Sequence, residues 1–288
     1  MFNKNVALRS SRRSHPRHQR RLGVAPRLAI LALLSAAEIA PAATGLPFIG
    51  SFETGNFSEW DGGRTATLSV SNSSSCDGQY NALSQMSRGT TTDNYQDFYF
   101  GDHRQVGGEP ATGGLWLQLC SKFSSDFDFG ASNLHKIAII NFTDANGLRR
   151  YQIILNVWVG TERYFVENLR WNSDGSFGGT VGGYNQNLAN PVSIRRGEWD
   201  RIKLFIRPNT PGSSDGIIRL WVNGVQKMEY TNVAMREAST FNPNKLIMAN
   251  YVPQSDVSGI QQWDDFYLGE SDPDTAISPP LPPVLRTE

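Results

Sequence analysis

The chain has 288 residues, with 27 basic and 27 acidic side chains and with 15 Phe, 9 Tyr and 7 Trp. That aromatic content suffices for one large core, and the even charge balance excludes a strongly basic nucleic-acid surface. The positive charge is concentrated at the start: residues 1–42 hold 8 basic and 1 acidic side chains, leaving 19 basic against 26 acidic residues, a net charge of −7, for the remainder.

Residues 1–42 read as a signal peptide. Lys4, Arg9, Arg12, Arg13, Arg17, Arg20, Arg21 and Arg27 make a long basic region, residues 28–37 an apolar run, and Ala40-Pro41-Ala42 a small-residue cleavage site. The run is too short to span a bilayer, which takes ~20 apolar residues. Ser14, His15 and Pro16 are a poor match to a twin-arginine signal. The alternative is a basic arm that binds nucleic acid. The export reading makes the protein secreted or periplasmic. In that setting Cys76 and Cys120 are expected to form a disulfide, the alternative being two buried thiols.

Strands are expected at 48–52, 65–70, 80–86 and 96–100, separated by Gly-, Ser- and Asn-rich turns. Residues 115–123 alternate, with Leu115, Leu117, Leu119 and Phe123 toward the core and Trp116, Gln118, Cys120 and Lys122 away from it. Residues 136–142 are almost wholly apolar, as in a central strand. The turn Asp144-Ala145-Asn146-Gly147 returns the chain into 148–159, where Tyr151, Ile153, Leu155 and Val157 oppose Arg150, Gln152, Asn156 and Trp158. Further strands are expected at 163–170 and 180–184, with a turn over 171–179. The stretch 197–230 carries three strand-like runs and the turn Asn223-Gly224, a strong hairpin signal because both central residues of a type I′ turn need positive φ. Strands at 245–250 and 261–268 close the series. The tail contains Pro273, Pro279, Pro280, Pro282 and Pro283 and is expected to be extended. About a dozen short strands with no helical period predict an all-β, two-sheet antiparallel jelly-roll sandwich over 43–271, followed by a Pro-rich tail at 272–288.

Three segments carry a family resemblance. The pattern G-E-W…L-F-I-R-P-N-T…D-G-I-I-R-L-W-V-N-G within 197–228, the opening F-E-T-G-N-F-S-E-W at 52–60 and the closing W-D-D-F-Y-L at 263–268 resemble the concanavalin A-like jelly-roll superfamily. That group includes lectins, laminin-G-like domains and several polysaccharide lyases. The run L-W-L-Q-L-C-S-K-F at 115–123 with Leu134, His135 and Lys136 resembles the bacterial lyase-like branch. The resemblance implies a polysaccharide partner, and for the lyases an acidic one.

The residue pattern argues against glycoside hydrolysis: no E-x-D-x-E arrangement exists, and Glu198 and Asp200, two apart beside Trp199, stand without a third carboxylate. Elimination from a uronate needs a group that neutralises the substrate carboxylate, a base for the C5 proton and an acid for the leaving oxygen. The lyase resemblance implies Arg88, Gln152 and the run Tyr184-Asn185-Gln186 for these tasks, but Ile154 stands where the family places a His. The expected catalytic set is therefore His135, Tyr184, Gln152 and Arg150. Substrate-binding residues are expected to be Trp116, Gln118, Lys136, Asn156, Trp158 and Gln186, because sugars stack on Trp and hydrogen-bond to amides. Arg201, Lys203, Arg207 and Arg219 share one face and are expected to be a solvated outer surface. The resemblance also implies a structural Ca²⁺ where the first and last strands pair, with Glu53, Asp264 and Asp265 as ligands. The alternatives to a lyase are a non-catalytic carbohydrate-binding module and a laminin-G-like adhesion domain.

Overall fold

A computed structural model describes residues 46–89, 92–100, 114–144, 146–185, 191–252 and 256–276. The strands are β1 (Phe48–Gly50), β2 (Gly62–Arg64), β3 (Leu68–Ser71), β4 (Asn81–Met86), β5 (Thr92–Tyr99), β6 (Leu115–Phe123), β7 (Leu134–Thr143) and β8 (Arg149–Trp158). They continue as β9 (Arg163–Trp171), β10 (Phe177–Asn185), β11 (Asp200–Arg207), β12 (Gly216–Val222), β13 (Val225–Val233), β14 (Asn242–Val252) and β15 (Gly259–Gly269), before a four-residue helix α1 (Pro273–Ala276). The residues expected to be leader, and those from 277 onward, lie outside the described residues.

Two antiparallel sheets face each other, as the jelly-roll reading requires. One runs β13-β12-β11-β6-β15-β4-β3, with β1 also paired to β15, and the other runs β10-β9-β8-β7-β14-β5-β2. The chain changes sheet between β1 and β2, β2 and β3, β4 and β5, β5 and β6, β6 and β7, β10 and β11, β13 and β14, and β14 and β15. Alternation places Leu115, Leu117, Leu119, Ile202, Leu204, Ile206, Ile218 and Leu220 from the first sheet against Ile140, Phe142, Tyr151, Ile153, Leu155 and Val157 from the second. An aromatic cluster closes one part of this core. Phe48 stacks on Phe98 at 3.9 Å between ring centroids, and Trp60 meets Phe266 edge-on at 5.1 Å. Burial of so many large apolar side chains supplies the main stabilising term.

The expected hairpin is present. Asn223 and Gly224 take φ values of 51° and 78°, and Val222 pairs with Val225 across them. The Asn223 side chain does more than turn the chain, since its Oδ1 accepts from the Arg201 amide at 2.9 Å. Cys76 and Cys120 form a disulfide that ties the loop before β4 to β6. Of the basic set, Arg201 pairs with Asp265 and Arg219 with Glu229, while Lys203, largely buried against Trp116 and Trp221, pairs with Asp272 and Asp274.

Candidate active site on the seven-stranded sheet

The second sheet has an outer face with its own chemistry. Where β8 sends Tyr151, Ile153, Leu155 and Val157 into the core, the period of two sends Gln152, Ile154 and Asn156 the other way. On that outer side Ile139 of β7, Ile154 of β8, Leu169 of β9 and Ala249 of β14 form a small apolar cluster separate from the core. Beside it lies a cavity of about 400 Å³ lined by side chains of β5, β7, β8, β9 and β14, among them Tyr95, Lys136, Asn141, Arg149, Gln152, Trp171 and Lys245.

One end of the cavity carries a cation stacked on an aromatic ring. The Arg149 guanidinium lies 3.3 Å from the centre of the Trp171 ring, and its Nε is buried without a hydrogen-bond partner. Burial pushes the Arg149 pKa down, and among the described residues no carboxylate forms a salt bridge with it. Gln152 is held on both sides: its Nε2 donates to Asn141 Oδ1 at 2.8 Å, and its Oε1 accepts from Trp171 Nε1 at 3.1 Å. Thus an aromatic ring fixes both a guanidinium and an amide at the edge of one cavity. Lys245, by contrast, is already neutralised by Asp97 at 2.7 Å and lies 4.7 Å from the Tyr99 ring centre. Burial raises the Asp97 pKa, and Lys245 opposes that rise.

A β-bulge decides which arginine occupies this end. Phe142 pairs with Tyr151 but Thr143 pairs with Arg149, so Arg150 has no partner in the ladder. Arg150 turns instead to Asp144 at 3.6 Å and to the Phe241 ring at 4.9 Å. Arg149, and not Arg150, therefore lines the cavity.

A family model described as polysaccharide lyase matches residues 52–246. The chain belongs to this polysaccharide lyase family. Solved structures share its fold at low identity. A β-1,4-glucuronan lyase from the fungus Trichoderma reesei aligns with a TM-score of 0.54 at 14% identity, over 78% of this chain and 95% of that one. An alginate lyase, Aly36B, solved with an alginate tetrasaccharide, aligns with a TM-score of 0.53 at 14% identity, over 77% and 92%. The alginate lyase vAL-1 from Chlorella virus aligns with a TM-score of 0.53 at 13% identity, over 76% and 96%. A search of curated proteins finds no match.

Within this member of the polysaccharide lyase family, the expected site residues divide between several places. Gln152, Lys136, Asn156 and Trp158 lie on strands of the second sheet, and Gln152 and Lys136 line the cavity. Trp158 stands at the far end of β8, exposed and edge-on to Phe165 at 5.3 Å. Trp116 and Gln118 are on the other sheet, because β6 pairs with β11 and β15 and not with β7. There Trp116 packs on Phe205 at 4.6 Å and Trp221 at 5.6 Å, so it cannot share a groove with Gln152. Tyr184 pairs with Val166 of the core face and packs on Tyr230 at 4.9 Å, on the inner side of its sheet. Gln186 lies outside the described residues. Arg88 forms an exposed pair with Asp128 and does not line the cavity.

The carboxylates expected to bind Ca²⁺ have partners within the protein. Glu53 accepts the amides of Gln79 and Tyr80 at 2.8 and 2.9 Å, and Asp264 accepts those of Cys76 and Asp77 at 2.7 and 3.1 Å. Asp265 is paired with Arg201. Backbone N–H groups thus partner Glu53 Oε1 and Asp264 Oδ2, which hold the loop before β4 in place, and a guanidinium partners Asp265 Oδ2. Among the described residues no three His, Cys, Asp or Glu side chains gather as a donor set.

His135 is a core residue. It is fully buried, ringed by Phe123, Phe127 and Phe129 at 5.3–5.6 Å, with Nε2 2.5 Å from Gln261 Oε1. No substrate can reach it without opening the sandwich. Burial holds its pKa down at about 4. The unfolded chain therefore binds a proton that the fold refuses between the ordinary value near 6.5 and about 4. Stability from this site is present above pH 6.5 and is lost as pH falls toward 4, by roughly 3 kcal/mol in all. Asp264 acts in the opposite sense, since burial raises its pKa from 3.8 to about 6 and favours the fold at lower pH. The difference between wild type and His135→Phe isolates the histidine. Urea unfolding from pH 7 to 4.5 should show wild type losing stability relative to the variant. Parallel curves would refute this account.

Proposed function

We propose that the protein cleaves an acidic polysaccharide, a polymer containing uronate residues, by β-elimination on the outer face of the seven-stranded sheet. The observation that carries this reading is Arg149: a cation stacked on Trp171, with no salt-bridge partner among the described residues, beside two amides fixed in orientation. A sugar carboxylate supplies the missing anion. Once neutralised by Arg149, Gln152 and Asn141, it makes the neighbouring C5–H acidic enough to be removed. Lys136 supplies a second cation in the same cavity. The named activities of the fold relatives, on glucuronan and alginate, support an acidic polymer.

A second reading, a sugar-binding module without catalysis, is favoured by Ile154. It is fully buried in the apolar cluster on this face, at the position where the lyase pattern carries a His. Incubation with glucuronan, alginate and a heparin-like polymer separates the two. Growth of ultraviolet absorbance from an unsaturated uronate end is the expected result. Retained binding to one polymer with no such signal from any would leave the module and remove the enzyme. The same proposal places the protein outside the cytoplasm, with residues 1–42 as the export signal.

A further inference from the structure

We propose that Glu167 is the base of the elimination and Lys136 its acid, a carboxylate–ammonium pair carried on β9 and β7 with Asn156 of β8 between them. The inference rests on the elimination reading above and adds to it the proton-transfer groups.

The placement follows from register. Lys136 pairs with Asn156, and Ile154 pairs with Glu167, so the three side chains occupy adjacent strands of the outer face. Glu167 is a diagonal neighbour of Gln152, which pairs with Leu169 two residues away. Such diagonal positions lie roughly 7–8 Å apart, within reach of two groups acting on one sugar ring. The carboxylate that would attack C5 thus stands one step along the sheet from the amide that would hold C6.

The surroundings leave Glu167 open. Opposite it in the ladder is Gly183, which carries no side chain to lie over the carboxylate. Thr180 Oγ1 donates to Glu167 Oε1 at 3.4 Å. Asn156 is wholly buried, and its Oδ1 has no partner among the described groups. An unsatisfied buried acceptor pointing from beside an acid–base pair fits a sugar hydroxyl. Burial raises the Glu167 pKa, which strengthens it as a base, and Lys136, Thr180 and Asn156 oppose the rise. Asp97, also on this face, is occupied by Lys245. The remaining charged group lining the cavity, Arg149, is the proposed carboxylate site.

The step balances. Glu167 takes the C5 proton, the C5–H electron pair becomes the C4–C5 double bond, and the C4–O4 bond breaks with its pair on O4. The Lys136 ammonium protonates that oxygen. The products are an unsaturated uronate end and a free hydroxyl, and a proton passing from Glu167 to Lys136 resets the pair.

The test is Glu167→Gln, which keeps the shape and the Thr180 contact, assayed beside wild type on the polymer that wild type cleaves. General-base loss should lower kcat by about 10²–10⁴, with KM within about threefold and the acidic limb of the kcat–pH profile gone. Glu167→Ala with added formate should recover activity, which a merely structural carboxylate would not permit. Wild type that forms unsaturated product while Glu167→Gln keeps kcat within fivefold would overturn this assignment alone. Absence of formate rescue in a folded Glu167→Ala protein would do the same. Wild type that forms no unsaturated product from any uronate polymer would overturn both this and the elimination reading.

Discussion

Arg149→Ala should lower kcat/KM on a uronate polymer by about 10²–10³, the range for removing one preorganised donor from a developing anion. The expectation comes from how the side chain is held. Trp171 supports the guanidinium from below at 3.3 Å and no carboxylate of the described protein competes for it. Because the substrate carboxylate gains charge as C5 loses its proton, the loss should fall on kcat as well as on KM. Arg149→Lys keeps the charge but loses the planar fork and much of the stacking, and should recover only part of the activity. Steady-state kinetics read from the unsaturated product decide it. An alanine variant within threefold of wild type would show that the substrate carboxylate binds elsewhere. Arg150→Ala serves as the internal control. It sits one residue away, engages Asp144 and Phe241, and should leave kcat/KM nearly unchanged.

The second large effect concerns stability. Asp200 is buried where β11 begins, and its carboxylate accepts from Tyr164 Oη at 2.7 Å, Arg195 Nε at 2.7 Å and Asn223 Nδ2 at 2.8 Å. Tyr164 belongs to the opposite sheet, so this acid joins the two layers and also anchors the β12–β13 hairpin. Burial, with Asp200 beside it, pushes the Tyr164 phenol well above its ordinary pKa, so it remains a donor at all physiological pH. Asp200→Ala strands a buried hydroxyl and an amide, and should cost about 3 kcal/mol. Asp200→Asn keeps an acceptor and should cost about 1 kcal/mol. Urea unfolding measures both. An alanine variant within 1 kcal/mol of wild type would mean that water replaces the carboxylate without loss.

The sandwich was legible because its evidence is local and repeated. Leu115, Leu117 and Leu119 alternate with polar residues, and Asn223-Gly224 admits few alternatives to a tight hairpin. The site was less legible because it depends on which strands meet. Trp116 and Gln118 have the same alternation as Gln152 and Asn156, and nothing local tells that β6 and β8 belong to different sheets. Arg149 was missed for a different reason. A period of two counted back from Gln152 selects Arg150, and the bulge that substitutes its neighbour leaves no clear mark in the sequence. Trp171 was assigned to a turn, though it continues the outward alternation of Leu169. At His135 a histidine beside a lysine suggests chemistry, whereas Phe123 at the end of β6 and Phe127 and Phe129 in the loop leading into β7 make it core. Glu167 carries a usable signal: it is the one carboxylate of its strand.

The last two strands of the chain lie inside the sheets, not at their edges. β14 runs between β7 and β5, and β15 runs between β6 on one side and β4 with β1 on the other. Before residue 242 is in place, the second sheet is two separate pieces and the first is three, with unpaired inner edges and an open core. A chain emerging from a ribosome or a translocon therefore cannot close either layer until nearly all of it is out, and the pairing of β1 with β15 spans almost the whole domain. Folding should be slow and late, as contacts of such long sequence separation require. Shortening the chain before β14 should yield an aggregating product, not a smaller stable sandwich.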